Sequence, residues 1–290
     1  MKKFGILVGL FVAICMVGSA QIVKSKVVDN GGSGPYKAIV ATEQTLQDFT
    51  IYRPENINEA VKTEGKLSIL AFANGGCSNT SITHEKVLSE MASQGYIVIA
   101  LGAMQMTFDD REHGKAEATM LIDAIDWISN QSKNKESDYY KKVDLKKIAI
   151  GGQSCGGAQV LFVAKDPRVK TYLMFNTGIG DMTMADASKA SLKNLHGPVV
   201  YIVGGESDVA YANALLDFER ISDVPVAVAN LVEGGHMGTF GDKYGGSFAR
   251  MATDWLDWQL KGKDENSSIF LESDLSAYPG WTMDAKNFKK

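Results

Sequence analysis

Residues 147–157 run from Lys147 through Ile148, Ala149 and Ile150 into Gly151, Gly152, Gln153, Ser154, Cys155, Gly156 and Gly157. Gly152, Ser154 and Gly156 thus form a G-x-S-x-G pattern directly behind a short β-branched run. A serine lifted out of a sharp strand-to-helix turn can attack a carbonyl carbon once a base takes its proton. The small flanking residues are needed because the turn is tight and the serine backbone strained. The plainer reading is a glycine-rich turn with an incidental serine. A phosphate cradle is excluded, since the segment has no G-x-x-x-x-G-K-[ST] and does not reproduce G-x-G-x-x-G.

Four histidines could supply the base: His84, His113, His196 and His236. In an open parallel sheet the working site lies beyond the carboxyl ends of the strands, so the base should follow a strand. His196 precedes one. His236 follows the last strand candidate, in a loop with Gly234, Gly235 and Gly238, and is the expected base. His84 and His113 open helices at the correct edge and are read as exposed polar residues or pocket lining. Asp208 follows the preceding strand and gives the chain order Ser, Asp, His. Its rival role is capping the helix that follows, and Glu206 and Asp181 are the alternative acids. The expected oxyanion donors are the backbone N–H of Cys155 and one from the loop 74–79, with Gly76 first and Cys77 next. That loop could also be a plain strand-to-helix turn.

The elements around these residues alternate short apolar runs with amphipathic ones, the pattern of a mainly parallel α/β sheet. Strands are expected over 68–73, 97–101, 147–150, 171–175, 198–203 and 225–231, and helices over 83–94, 113–129, 155–164, 209–221 and 246–260. Segment 30–63 reads as a loop followed by an antiparallel edge hairpin containing residues 49–52.

With 290 residues, 45% hydrophobic and 22% charged, the chain can bury a sizeable core, and disordered or collagen-like classes are excluded. The net charge is -4. A chain without a basic surface is not a nucleic-acid binder. No HExxH pair or CxxC knuckle occurs, so no metal is expected. Residues 1–20 join Lys2 and Lys3 to an apolar run and to Gly18, Ser19 and Ala20, as a cleaved export signal does. The expected organisation is a signal over 1–20 and one domain over 21–290, secreted or periplasmic, with no membrane span in the mature form. Cleavage removes Cys15 and leaves Cys77 and Cys155, which lie in the two loops of the expected oxyanion hole. They should be close in space, either as a disulfide or as two buried thiols.

On these residues the chain resembles the α/β-hydrolase superfamily over nearly all of its mature length. It looks closest to the lid-poor branch of cutinase-like and polyester hydrolases, chlorophyllase-like enzymes, platelet-activating-factor acetylhydrolases and dienelactone hydrolases. The resemblance rests on Asn74 to Cys77, Gly152 to Gly157, Gly205 to Asp208 and Gly235 to Thr239. It implies an α/β-hydrolase fold with helices on both faces of the sheet, a Ser154, Asp208 and His236 triad, and no cofactor. Cys155 replaces the methionine or leucine common after the nucleophile. The serine replaces the cysteine nucleophile of dienelactone hydrolases.

Only 22 residues separate Phe175 from Pro198, where cap-bearing relatives insert several helices. The expected activity is therefore hydrolysis of short-acyl or polymer-borne carboxylic esters at an open cleft, with Met104, Met106, Phe108, Met182 and Met184 as a candidate apolar rim. A peptidase on the same triad and a non-catalytic binding protein on a hydrolase scaffold are the competing readings.

Overall fold

The computed structural model describes residues 21–110 and 114–289. The expected signal and His113 lie outside the described residues. Ten strands form one sheet: β1 Ile22–Lys26, β2 Ala38–Glu43, β3 Leu46–Pro54, β4 Leu67–Ala73, β5 Tyr96–Leu101, β6 Val143–Gln153, β7 Val169–Phe175, β8 Val199–Val203, β9 Val226–Leu231 and β10 Trp281–Lys286. Their order is β1-β2-β3-β5-β4-β6-β7-β8-β9-β10, with β5 to β9 of that order mutually parallel and the outer pairings antiparallel.

Strands of a covered parallel sheet must be apolar on both faces. All seven residues of β4 are buried, and the period of two sends Ile69, Ala71 and Ala73 into one core and Leu70 and Phe72 into the other. The helices α1 Ile57–Glu64, α3 Met120–Gln131, α4 Cys155–Val163 and α5 Tyr211–Arg220 cover the first face. The opposite face is covered by α2 Glu85–Ser93, α6 Gly246–Leu256 and α7 Ser267–Leu271. Trp255 of α6 is fully buried there, and its indole N–H donates to Thr171 Oγ1 of β7 at 2.8 Å.

Between β7 and β8 the only helix is a 3-10 segment, Lys189–Asn194, capped by Ser188. This is an α/β-hydrolase fold with no large cap domain. The hairpin expected near Phe49 is present, but it is not at the edge. β1 flanks it outside, and β3 pairs with β5. The helix expected from His113 starts only at Met120. Ahead of it, Lys115 bridges Ser78 and the Ala116 amide donates to the Cys77 carbonyl, so pairing with the 74–79 loop displaces the helix.

Candidate active site

β6 delivers Ser154 straight into α4, and Ser154 takes φ 54° and ψ −120°. A side chain other than glycine rarely tolerates that region, and it persists only where surrounding bonds enforce it. Here the Ser154 amide donates to Phe175 O at 3.0 Å, and the Ser154 carbonyl accepts from Thr177 Oγ1 at 2.7 Å and Gly157 N at 2.9 Å. Close packing dictates the glycines on either side. A Cβ on Gly152 would lie 2.4 Å from the Gly156 backbone, and one on Gly156 would lie 2.3 Å from the Ala73 carbonyl oxygen.

The loops after β8 and β9 bring the other two side chains to this edge. His236 Nε2 lies 3.0 Å from Ser154 Oγ, and His236 Nδ1 lies 2.6 Å from Asp208 Oδ1. An ionised carboxylate only accepts, so Nδ1 carries the proton and Nε2 presents its lone pair to the serine hydroxyl. Asp208 is buried, whereas the His236 side chain is 30% exposed. Burial by itself raises the Asp208 carboxyl. The bonds from His236, the Ala210 amide, Asn176 and the Gly204 amide outweigh it and hold the carboxyl below the usual carboxylate range. Asp208 therefore also caps the turn before α5, through Ala210 N at 3.0 Å.

Asn176 was not foreseen from sequence. Fully buried, it donates from Nδ2 to Asp208 Oδ2 at 2.8 Å and to Gly235 O at 3.1 Å, tying the acid to the histidine loop. Its one sequence signal is an asparagine placed just after a strand, and it indeed takes φ 41°.

The 74–79 loop is fixed to the nucleophile by a disulfide between Cys77 and Cys155, with Cα atoms 5.1 Å apart. Gly76 sits beside it at φ 64°. The bond holds that loop against the N-terminus of α4, where Cys155 N–H begins the helix. Two amides held there could stabilise a developing oxyanion.

The remaining candidates separate clearly. His84 is not an exposed helix-opening residue. It lies in a buried 3-10 turn, packed on Phe72 and Phe240, with Nε2 3.4 Å from Gln153 Oε1. The cause is its neighbours: apolar rings enclose the imidazole, and burial pushes it down to about 4 against the opposing Gln153 bond. Gln153 in turn donates to the His236 carbonyl at 3.2 Å, so it bridges His84 to the histidine loop. His196 lies at the opposite sheet edge, bonded to Tyr172 Oη and Val169 O. Glu206 is exposed. Asp181 is exposed and paired with Lys189 and Arg220.

The loops that follow the carboxyl ends of the strands expose Met106, Phe108, Met182, Val209, Val232 and Met237, whereas Met104 is buried and Met184 half-buried. A cleft of about 500 Å³ against α2 and α6, lined by Glu90, Arg250, Asp254 and Lys263 among others, contains none of the three site residues. Among the described residues no three or more His, Cys, Asp or Glu side chains gather as a metal site would require. No helix among them is long and apolar enough to cross a membrane.

No curated protein matches this chain. The model of one family, described as PET hydrolase-like, matches residues 32–260, most of the sequence and every residue of the site just described. That family acts on esters, and the chain belongs to it: it is a member of the PET hydrolase-like family of α/β-hydrolases.

Proposed function

We propose that the protein is an exported serine ester hydrolase that cleaves short-acyl or polymer-borne carboxylic esters through an acyl-enzyme. The observation that carries the reading is the unbroken series Asp208, His236, Ser154, with contacts of 2.6 and 3.0 Å, on a strained strand-to-helix turn. Membership of an ester-hydrolysing family supports it.

In the first half-reaction His236 Nε2 takes the Ser154 hydroxyl proton while Oγ bonds to the ester carbonyl carbon. The carbonyl π electrons move to oxygen, and the Gly76 and Cys155 amides stabilise that charge. Asp208 steadies the imidazolium. The tetrahedral adduct then collapses, the bond to the alcohol oxygen breaks, and His236 returns the proton to the departing alcohol. Water repeats the sequence on the acyl-enzyme and releases the acid. Cys77, bonded to Cys155, keeps the two donors at a fixed separation.

Because the 3-10 segment after β7 is too small to form a mobile apolar lid, the cleft stays open. An open cleft admits a chain end of a polymer or a small ester, and leaves a long fatty chain partly in water. Export agrees with a disulfide, which persists in oxidising compartments.

The test compares an ester with its matching anilide on wild type, Ser154→Ala, His236→Ala and Asp208→Asn. The expected result is ester cleavage lost by several orders of magnitude in the first two variants, with folded protein retained, and a smaller loss in the third. Faster cleavage of the anilide would make the protein a peptidase. Near-full ester cleavage by folded Ser154→Ala would remove the serine mechanism.

A further inference from the structure

His236 stands in a loop with glycines at 234, 235 and 238, and its side chain is partly exposed. Glycines give the chain there wide freedom, so the bond from the imidazole to Asp208 needs backbone anchors behind it. The direction of a Cα–Cβ bond is set by the two planar peptide units on either side of the Cα. At His236 both units are tied from the ends of neighbouring strands. The carbonyl before it, that of Gly235, accepts from Asn176 Nδ2 at 3.1 Å. The carbonyl after it, that of His236 itself, accepts from Gln153 Nε2 at 3.2 Å.

Gln153 ends β6, directly precedes Ser154 and is almost wholly buried. Its amide has one consistent orientation. A carbonyl only accepts, so the amide NH2 faces the His236 carbonyl and Oε1 faces His84. His84 Nε2 then carries the proton and donates to Oε1 at 3.4 Å, while its Nδ1 accepts from Thr83 Oγ1 at 3.0 Å. Each group in this series takes the role that the next one requires. The amide also touches the expected oxyanion loop: a Cβ on Gly75 would lie 1.9 Å from Gln153 Oε1.

Resting on the serine ester hydrolase reading, we propose that Gln153 is a positioning residue of the reaction: its amide, oriented by His84, holds the peptide after His236 and so keeps the imidazole on the hydroxyl of the adjacent Ser154. The anchor and the nucleophile are consecutive residues of one strand end, so a shift of that strand carries both together. Without the anchor the peptide after His236 can turn, and Nε2 leaves its 3.0 Å contact with Oγ for part of the time. The loss falls on proton transfer and leaves substrate binding in place.

The test uses Gln153→Met, which keeps the length of the side chain and has no donor. Ester kcat and KM are measured for wild type, Gln153→Met, His236→Ala and the double variant, with folding followed by circular dichroism. In Gln153→Met kcat is expected to fall about 10- to 100-fold with KM within about twofold of wild type. No further loss is expected where His236 is already alanine, because the amide acts through the imidazole. An unchanged kcat, a rise in KM in place of the fall in kcat, or the same loss repeated in the His236→Ala background overturns the positioning role and leaves the hydrolase reading standing. Failure of the wild type to cleave the ester, or full cleavage by His236→Ala, overturns both. Should Gln153→Met not fold, Gln153→Asn, whose amide stops one methylene short of the His236 carbonyl, is measured in its place with the same outcomes deciding.

Discussion

Acidification forces a proton onto a histidine that the fold holds neutral. His84 is 1% exposed between Phe72 and Phe240, and burial lowers its imidazole from 6.5 to about 4. The unfolded chain takes up this proton near pH 6.5 and the folded chain only near pH 4, so the unfolded state binds more protons between those values. Stability is then unaffected by His84 above pH 6.5 and is lost as pH falls through the window from 6.5 to about 4. At ~1.4 kcal/mol per tenfold difference in proton affinity, and allowing for half-protonation of the folded form at pH 4, the loss is about 3 kcal/mol. The perturbation is His84→Gln, which does not titrate and can still offer an amide N–H to Gln153. Chemical unfolding of both proteins at pH 7.5 and pH 4.0, followed by the fluorescence of the four tryptophans, gives two pH-dependent losses. Groups common to both proteins cancel in the difference. Wild type is expected to lose about 3 kcal/mol more than the variant. Equal losses would refute the argument that burial keeps His84 neutral.

Asn176→Leu removes a charge-assisted bond to Asp208 and the tie to Gly235, and is expected to lower kcat about 10- to 100-fold with KM little changed; an unaltered kcat would remove Asn176 from the positioning of the acid. Replacing Cys77 and Cys155 by serine opens a loop spanning 78 residues and is expected to cost about 4 kcal/mol of stability in denaturant unfolding together with much of kcat. Titration of the unfolded, unreduced mature protein should find no free thiol, and two would contradict the bond. Along a series of 4-nitrophenyl esters the specificity constant is expected to stop rising beyond about four acyl carbons, because each methylene left in water forgoes about 0.8 kcal/mol of transition-state binding. A rise continuing through ten or more carbons would indicate a long covered groove.

The parts of the fold that were legible in the sequence are those whose signal is local. The buried parallel strands read as apolar runs because both of their faces are covered, and the turn at Ser154 read from its glycines because the backbone there approaches Gly156 and Ala73 too closely for any side chain. The edges carried no such mark. β1 has three exposed residues of five and β10 three of six, so neither shows an apolar run. Helix α1 falls almost wholly within the stretch 30–63, read as a loop and a hairpin, and of its residues only Ile57 and Ala60 are buried. Segment 114–119 has the composition of a helix start, yet its hydrogen bonds go to the 74–79 loop, and tertiary pairing overrides propensity. At the site, Ser154, Asp208 and His236 could be placed by their order behind successive strands. Asn176, Gln153 and His84 could not, since their contacts span 32, 83 and 69 residues of sequence and no spacing rule announces them.

If Ser154 carries the acyl group, a covalent phosphonate probe will capture it there. Wild type treated with a 4-nitrophenyl alkylphosphonate should release one equivalent of nitrophenolate, gain one phosphonyl mass and lose ester hydrolysis in parallel, with the adduct mapped to Ser154 and absent from Ser154→Ala. An adduct on another residue, or ester hydrolysis that persists in fully labelled protein, would rule out Ser154 as the nucleophile.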